Sequence, residues 1–91
     1  MVRIKDFLWD KDNIAHIIDK HGVNPEEVEE ACFFNPLVRK TKKDRYFVFG
    51  QTQSGRYLTI IIENLGGGWI KVITARAMVI SERRKYRKFR R

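Results

Sequence analysis

The chain has 91 residues, enough for one domain with a modest core, and 43% of them are hydrophobic. Its single cysteine, Cys32, excludes an internal disulfide and fits a reducing compartment, and no run approaches the roughly 20 apolar residues of a membrane span. The charged N-terminal residues lack the apolar segment of a secretory signal, so we expect a cytoplasmic protein.

The formal charge of +8 is concentrated in one segment. Residues 83–91 hold seven of the 19 basic residues and no acidic one, which leaves 12 basic against 11 acidic residues elsewhere. Such a segment favours a polyanion, nucleic acid or an acidic partner; the alternative is a solvated terminus that aids solubility. Binding to an anionic membrane surface is disfavoured, because Tyr86 and Phe89 form only a thin apolar stripe. We therefore expect a single domain over 1–91 with a basic extension at about 84–91.

The first third of the chain predicts a short strand and two helices. Residues 2–9 begin with an alternation of apolar and charged side chains, which is typical of a strand. Asp10 can cap a helix from Lys11 to Lys20 or His21, with Gly22 as its stop. A second helix is predicted to begin at Pro25 after the Asn24 cap and to end before Asn35-Pro36.

The remainder predicts a meander of strands followed by a helix. The expected strands are a cationic edge strand at 37–41, then 45–51, a central strand at 56–63, and 69–76. Short connections at 42–44, Ser54-Gly55 and 64–68 require antiparallel neighbours. A helix should follow from about Ser81, whose hydroxyl can cap it. The expected fold class is α+β, with helices against an antiparallel sheet of about four strands.

Four short motifs in this order resemble the BrnT family. They are Phe-Leu-Trp-Asp at 7–10, Lys-His-Gly-Val at 20–23, Ile-Thr-Ala-Arg at 73–76 and Glu-Arg-Arg-Lys-Tyr at 82–86. The resemblance implies a RelE-like two-layer fold and a ribonuclease toxin of a type II toxin–antitoxin system. It also implies two partners, RNA and a cognate small antitoxin of the BrnA-like, DNA-binding kind. A homodimer stays open.

A ribonuclease without metal must orient the 2′-hydroxyl for in-line attack, stabilise the charge on the phosphorane and move two protons. Arg76, at the end of the last strand, is the candidate for holding the phosphate; the alternative is a structural ion pair with Glu82. Glu82 is a candidate base or a helix cap. Tyr86 could donate a proton, stack on a base, or pack against the sheet.

His21 is the remaining catalytic candidate, and its alternative is a helix-terminal histidine that bonds a nearby carbonyl. His16, His21 and Cys32 have neither the spacing nor the number of a structural zinc site, so no metal and no cofactor is expected. Further cations would bind the RNA backbone, those on strands only if they share the open sheet face with Arg76. These candidates for nucleic-acid binding are Lys20, Arg45, Arg56, Lys71 and Arg83.

Three functions therefore compete. The first is a metal-independent ribonuclease toxin that acts through Arg76 and is neutralised by its antitoxin. The second is a catalytically silent nucleic-acid-binding module whose basic helix makes salt-dependent phosphate contacts. The third is a protein whose sheet and helices only dock an antitoxin-like partner.

Overall fold

The computed structural model describes residues 4–90 and contains five strands and three helices within that range. The strands are β1 (Asp6–Leu8), β2 (Leu37–Lys42), β3 (Arg45–Gln51), β4 (Tyr57–Gly66) and β5 (Trp69–Ala77). The helices are α1 (Lys11–His21), α2 (Pro25–Phe33) and α3 (Ile80–Arg90). The first two residues of the strand predicted at 2–9, and the last residue of the basic extension, lie outside the described range.

The five strands form one sheet in the order β1-β5-β4-β3-β2. The hairpin-connected strands β2 to β5 are antiparallel neighbours, whereas β1 pairs with β5 in parallel. The predicted α+β class is confirmed, with β4 in the centre and the cationic strand β2 at an edge. The expectation of about four antiparallel strands needs correction, because β1 adds a fifth strand and makes the sheet mixed.

Capping residues fix the ends of the first two helices as the sequence predicts. The Asp10 carboxylate accepts the backbone N–H of Asp12 at 2.8 Å, and Gly22 ends α1 with a φ of 62°. At α2, the Glu27 carboxylate accepts the backbone N–H of Asn24 at 3.0 Å. No helix within residues 4–90 is long and apolar enough to span a membrane.

Helices α1 and α2 cover one face of the sheet, called here the closed face. Its core includes Ile17 from α1 and Val28 from α2, both fully buried against Ile60 of β4. At Gly50 the two layers come especially close, since a Cβ there would lie 2.2 Å from the carbonyl oxygen of Ala31. Only glycine lets α2 approach β3 this closely, which explains a residue of low strand propensity in this strand.

Helix α3 lies on the other face, called here the open face. Tyr86 anchors it: the side chain is fully buried, and the hydroxyl donates to the carbonyl of Asn35 at 3.0 Å. Most of the predicted boundaries differ from the observed ones by a residue or so, and two of the differences bear on this face. The helix begins at Ile80, so Ser81 lies inside it rather than capping it, and β4 continues through Asn64 to Gly66 because its pairing with β5 resumes after a register shift.

Candidate functional site

Arg76 and Glu82 form a two-pronged ion pair at the junction of β5 and α3. Nη1 of Arg76 lies 2.9 Å from one carboxylate oxygen of Glu82, and Nη2 lies 2.9 Å from the other. The pair is partly sheltered, with 36% of the Arg76 side chain and 19% of the Glu82 side chain exposed. This geometry is the strong form of an arginine–carboxylate contact, and it locks the guanidinium in one orientation.

Glu82 holds further hydrogen bonds besides those to Arg76. Oε1, the carboxylate oxygen that accepts from Nη1 of Arg76, also accepts the hydroxyl of Thr59 at 2.8 Å and the backbone N–H of Val79 at 3.0 Å. The bond to Arg76, supported by those to Val79 and Thr59, lowers the pKa of Glu82 from 4.5 to about 2, against the opposing effect of desolvation. A carboxylate with so low a pKa is a weak base near neutrality. The bond to Val79 also closes the first turn of α3, because Glu82 is its third residue.

The ion pair leaves one edge of the Arg76 guanidinium available. An arginine has five N–H donors in a planar fork. Glu82 takes one donor each from Nη1 and Nη2, and the second Nη1 donor bonds the carbonyl of Ala77 at 3.2 Å. Within residues 4–90, Nε and the adjacent Nη2 hydrogen make no hydrogen bond. That side-on edge matches the paired oxygens of a phosphate, and the bond to Glu82 raises the pKa of Arg76 further.

Tyr86 and Arg83 follow on the same helix. Burial raises the pKa of Tyr86, whose hydroxyl is committed to the Asn35 carbonyl. The Arg83 guanidinium lies 4.7 Å from the centre of the Tyr57 ring in a cation–π contact, and the residue is otherwise exposed. The structure therefore brings Arg76 and Glu82 into direct contact, while Arg83 and Tyr86 on α3 contact Tyr57 and Asn35 instead.

Lys20 and His21 lie at the end of α1, on the closed side of the sheet. Asn13 joins this helix to β5, because its side-chain amide donates to the carbonyl of Val72 at 2.7 Å. No hydrogen bond or ion pair among the described residues joins the His21 ring to Arg76 or Glu82. Its ring instead meets His16 edge-on, with 5.3 Å between centroids.

Arg56 does not share the open face with Arg76. Its guanidinium donates to the carbonyls of Gly22 at 2.7 Å and His21 at 3.2 Å, and it pairs with Glu27 at 3.1 Å. These bonds satisfy the last carbonyls of α1 and tie both helices to the start of β4. The condition under which Arg56 was expected to bind RNA is therefore not met, because its partners on α1 and α2 turn it away from that face.

Arg45 and Lys71 do lie on the open face. Both pair in register with Glu63, and Arg45 reaches its carboxylate at 3.6 Å. Arg76 pairs in register with Thr59, four residues away along β4, which at about 3.3 Å per residue separates the two rows by roughly 13 Å. The open face thus carries cations at two places along β4: Arg45 and Lys71 beside Glu63, and Arg76 beside Thr59.

A groove of about 870 Å³ lies between α3 and the outer strands of the open face. Its apolar lining consists of Leu37, Phe47, Phe49 and Phe89, and its cations are Arg39, Lys85 and Lys88. The rings of Phe47 and Phe49 lie 5.9 Å apart and nearly parallel, at 22°. Glu82, its one carboxylate among the described residues, is the one already bound to Arg76. We call this concavity the α3 groove.

The sequence interpretation did not find the α3 groove. The predicted strand at 45–51 contains Phe47 and Phe49, and their spacing of two residues is the signal that places both rings on one side of the sheet. Arg39 pairs with Phe47 in register, so the edge-strand cation belongs to the same surface. The missing information was where α3 crosses the sheet, which depends on the buried contacts of Tyr86.

Cys32 is buried on α2, on the closed side of the sheet. Burial, with a smaller effect from the nearby carboxylate of Glu29, raises the pKa of the Cys32 thiol to about 12, so the thiol stays protonated near neutrality. Residues 4–90 contain no group of three or more His, Cys, Asp or Glu side chains placed to hold a metal ion.

The fold and this surface define a small α+β protein with a cationic open face built around a strand-end arginine. The chain belongs to the BrnT family: residues 9–82 match the family described as ribonuclease toxin, BrnT, of type II toxin–antitoxin system. This confirms the resemblance inferred from the four motifs. Membership implies an RNA substrate and an antitoxin partner for the chain.

A solved structure supports the fold independently. The crystal structure of the Brucella abortus ribonuclease toxin, BrnT, superposes with a TM-score of 0.69 at 24% sequence identity, over 87% of this chain and 99% of that one. At this identity the likeness establishes a common fold. No curated protein matches the sequence. Residues beyond 82, which include most of α3, lie outside the match to the family.

Proposed function

We propose that the protein is a metal-independent endoribonuclease toxin that grips the scissile phosphate with Arg76. The observation that carries the proposal is the unoccupied side-on edge of the Arg76 guanidinium, held in place by Glu82 on the exposed side of the sheet. A phosphate can take that edge without displacing Glu82. The cation would then stabilise the charge that develops on the phosphate oxygens during in-line attack by the 2′-hydroxyl.

In this proposal Glu82 positions Arg76 rather than removing a proton, because its four hydrogen bonds and lowered pKa make it a poor base. Arg83, in the first turns of α3, adds an exposed cation seven residues after Arg76 in the sequence. Roles for Tyr86 and His21 in proton transfer stay predictions. A cognate antitoxin of the small DNA-binding kind would neutralise the protein by covering this cationic face.

The test is cleavage of a defined single-stranded RNA in the presence of EDTA by the native protein and by Arg76→Lys. Lysine keeps a charge that can pair with Glu82 but loses the fork, so the fold should persist while cleavage falls about 100-fold or more. Lys11→Ala, which removes an exposed cation on α1, is the control and should cleave like the native protein. Equal cleavage by Arg76→Lys and the native protein would refute the role of Arg76; cleavage that EDTA abolishes would refute metal independence.

A second function is favoured by one observation: both side chains that the sequence offers as proton carriers beside Arg76 are engaged. Glu82 is saturated with hydrogen bonds, and the Tyr86 hydroxyl is buried against Asn35. A surface of this kind suits a binding module that holds RNA without cutting it. Salt-sensitive RNA binding by the native protein with no cleavage under any condition would establish that function instead.

A further inference from the structure

The α3 groove has features that neither the Arg76 site nor the core accounts for. It opens beside the Arg76–Glu82 pair, since Glu82 is part of its lining, and runs toward the edge strand β2. Its volume of about 870 Å³ falls within the range of ligand-binding pockets. A site of this size next to a phosphate-binding arginine is placed to take the neighbouring part of the same ligand.

The charge of the groove selects an anion. Arg39 comes from β2, and Lys85 and Lys88 come from α3, where a spacing of three residues puts them on one side of the helix. All three are exposed. Glu82, the groove's carboxylate, is neutralised by Arg76. Among the described residues, none of the three cations has an ion-pair partner, so the groove complements a polyanionic chain passing over it.

The aromatic side chains of the groove indicate a second property of the anion that would bind there. Phe47 and Phe49 form a half-buried floor, and Phe89 stands on the helix with 48% of its surface exposed. Phenyl rings that reach solvent beside lysine and arginine side chains suit single-stranded nucleic acid, because every unpaired base can stack on such a ring. A carboxylate-rich peptide would use the cations but would gain little from the rings.

We propose that the α3 groove binds one or two unpaired nucleotides of single-stranded RNA, with bases stacked on Phe47 and Phe89 and phosphates at Arg39, Lys85 and Lys88. The inference rests on the proposed function in one respect, that the substrate is RNA. It adds a substrate class: the RNA must be unpaired beside the cleavage point. Phe89 and both lysines lie beyond the residues that match the family. All three lie on α3, whereas Arg39 and Phe47 lie within the matched residues.

The experiment measures binding separately from cleavage. A short single-stranded RNA with every 2′-hydroxyl methylated cannot be cleaved by attack of that hydroxyl, and its affinity for the full chain is followed by fluorescence anisotropy. Phe47→Leu and Phe89→Leu keep the apolar volume but remove the ring. Each should raise Kd about fivefold, and the double variant more, because stacking is lost while the cations stay. Affinity for a duplex RNA should not depend on either ring.

Phe33→Leu is the matched control, because Phe33 is 60% exposed but lies on α2 at the closed side. It should bind like the native protein, and thermal melting should show that all variants fold. Unchanged affinity in the double variant would overturn the proposal. So would an equal loss of duplex binding, or a polyglutamate peptide that binds in a Phe89-dependent way while RNA binding ignores Phe89.

Cleavage of unmodified RNA, assayed in parallel, separates this inference from the proposed function. Ring-dependent binding without any cleavage by the native protein would keep the groove and reject the ribonuclease. Cleavage by the native protein with ring-independent binding would keep the ribonuclease and reject the groove.

Discussion

The two faces of the sheet differ in the interactions that hold their helices: mainly apolar burial on the closed face and specific polar bonds on the open face. The closed face is sealed by apolar side chains from α1 and α2, such as Ile17 and Val28, packed on Ile60 with no exposed surface. The open face is only partly covered, by a helix whose cations stay in solvent. Specific polar bonds at Thr59, Arg76 and Asn35 hold that helix.

The difference separates stability from function. Hydrophobic burial on the closed face supplies most of the driving force for folding and depends on shape. The open face, with its few directional bonds, keeps a charged surface in a defined position at modest energetic cost. Substitutions on the closed face should therefore change stability, and those of the exposed cations and rings on the open face should change RNA binding or cleavage more than stability.

The largest effect should come from Gly50→Ala on the closed face. The added Cβ would lie 2.2 Å from the Ala31 carbonyl oxygen, which is backbone and cannot rotate away. We expect a loss of about 3 kcal/mol in the free energy of unfolding, measured by urea denaturation. Thr41→Ala, on the exposed part of β2, should change it by less than about 0.5 kcal/mol. A small effect of Gly50→Ala would show that α2 can move away from the sheet.

Glu82→Gln should have a smaller effect that depends on pH. The variant keeps acceptors for Thr59 and Val79 but loses the charge that pairs with Arg76, so we expect a loss of about 1–2 kcal/mol at neutral pH after allowing for solvent screening. The pKa of Glu82 is lowered from 4.5 to about 2 in the folded protein, so its contribution is complete above pH 4.5 and disappears as the pH falls toward 2.

The difference in stability between native protein and Glu82→Gln should therefore shrink across that interval of pH, when followed by denaturation at several pH values. Glu63→Gln is the control, because its contact with Arg45 is longer, at 3.6 Å, and more exposed. A difference for Glu82→Gln that stays constant down to pH 2 would contradict the ion-pair origin of the effect.

Tyr86→Phe tests whether the buried hydroxyl is structural or catalytic. It removes the bond to the Asn35 carbonyl, and we expect a loss of about 1 kcal/mol in thermal or chemical denaturation with cleavage retained. Tyr57→Phe is matched to it, because the Tyr57 hydroxyl makes no hydrogen bond within residues 4–90, and it should change stability less. Loss of cleavage in a fully folded Tyr86→Phe protein would instead make Tyr86 a proton carrier.

The smallest effect on stability should come from Lys88→Ala, an exposed change on α3. Its effect should be seen in the salt dependence of RNA binding, where loss of one phosphate contact lowers the slope of log K against log salt by about 0.7 for a single strand. Lys11→Ala, on the closed side, should leave the slope unchanged. If both variants behaved alike, the cations of α3 would have no special place in RNA binding.

Local signals were enough to predict most elements. Asp10, Gly22 and Asn24 mark helix ends that the structure reproduces, because capping depends on bonds between neighbours in sequence. The hairpins likewise predict the order from β2 to β5. The parallel pairing of β1 with β5 escaped prediction because it joins distant segments and leaves no local signal.

The site was predictable in part for the same reason. Arg76 and Glu82 are six residues apart, and the sequence already offered their ion pair as one alternative. The anchoring of Arg56 to the end of α1 was not foreseen, since its partners at Gly22 and His21 are brought near by the packing of α1 beside the start of β4. The α3 groove depends on three separate elements meeting in space.

The pairing of β1 with β5 also constrains the order in which the sheet can form. Strand β1 can join the sheet only alongside β5, so its pairing must await translation of all the residues between Leu8 and Trp69. Contacts of such long sequence separation form slowly, because a large loop must close first. Arg76 lies at the end of that same late strand. A chain synthesised only as far as β4 therefore lacks both Arg76 and Glu82, and the candidate site can form only after β5 and α3 have been made.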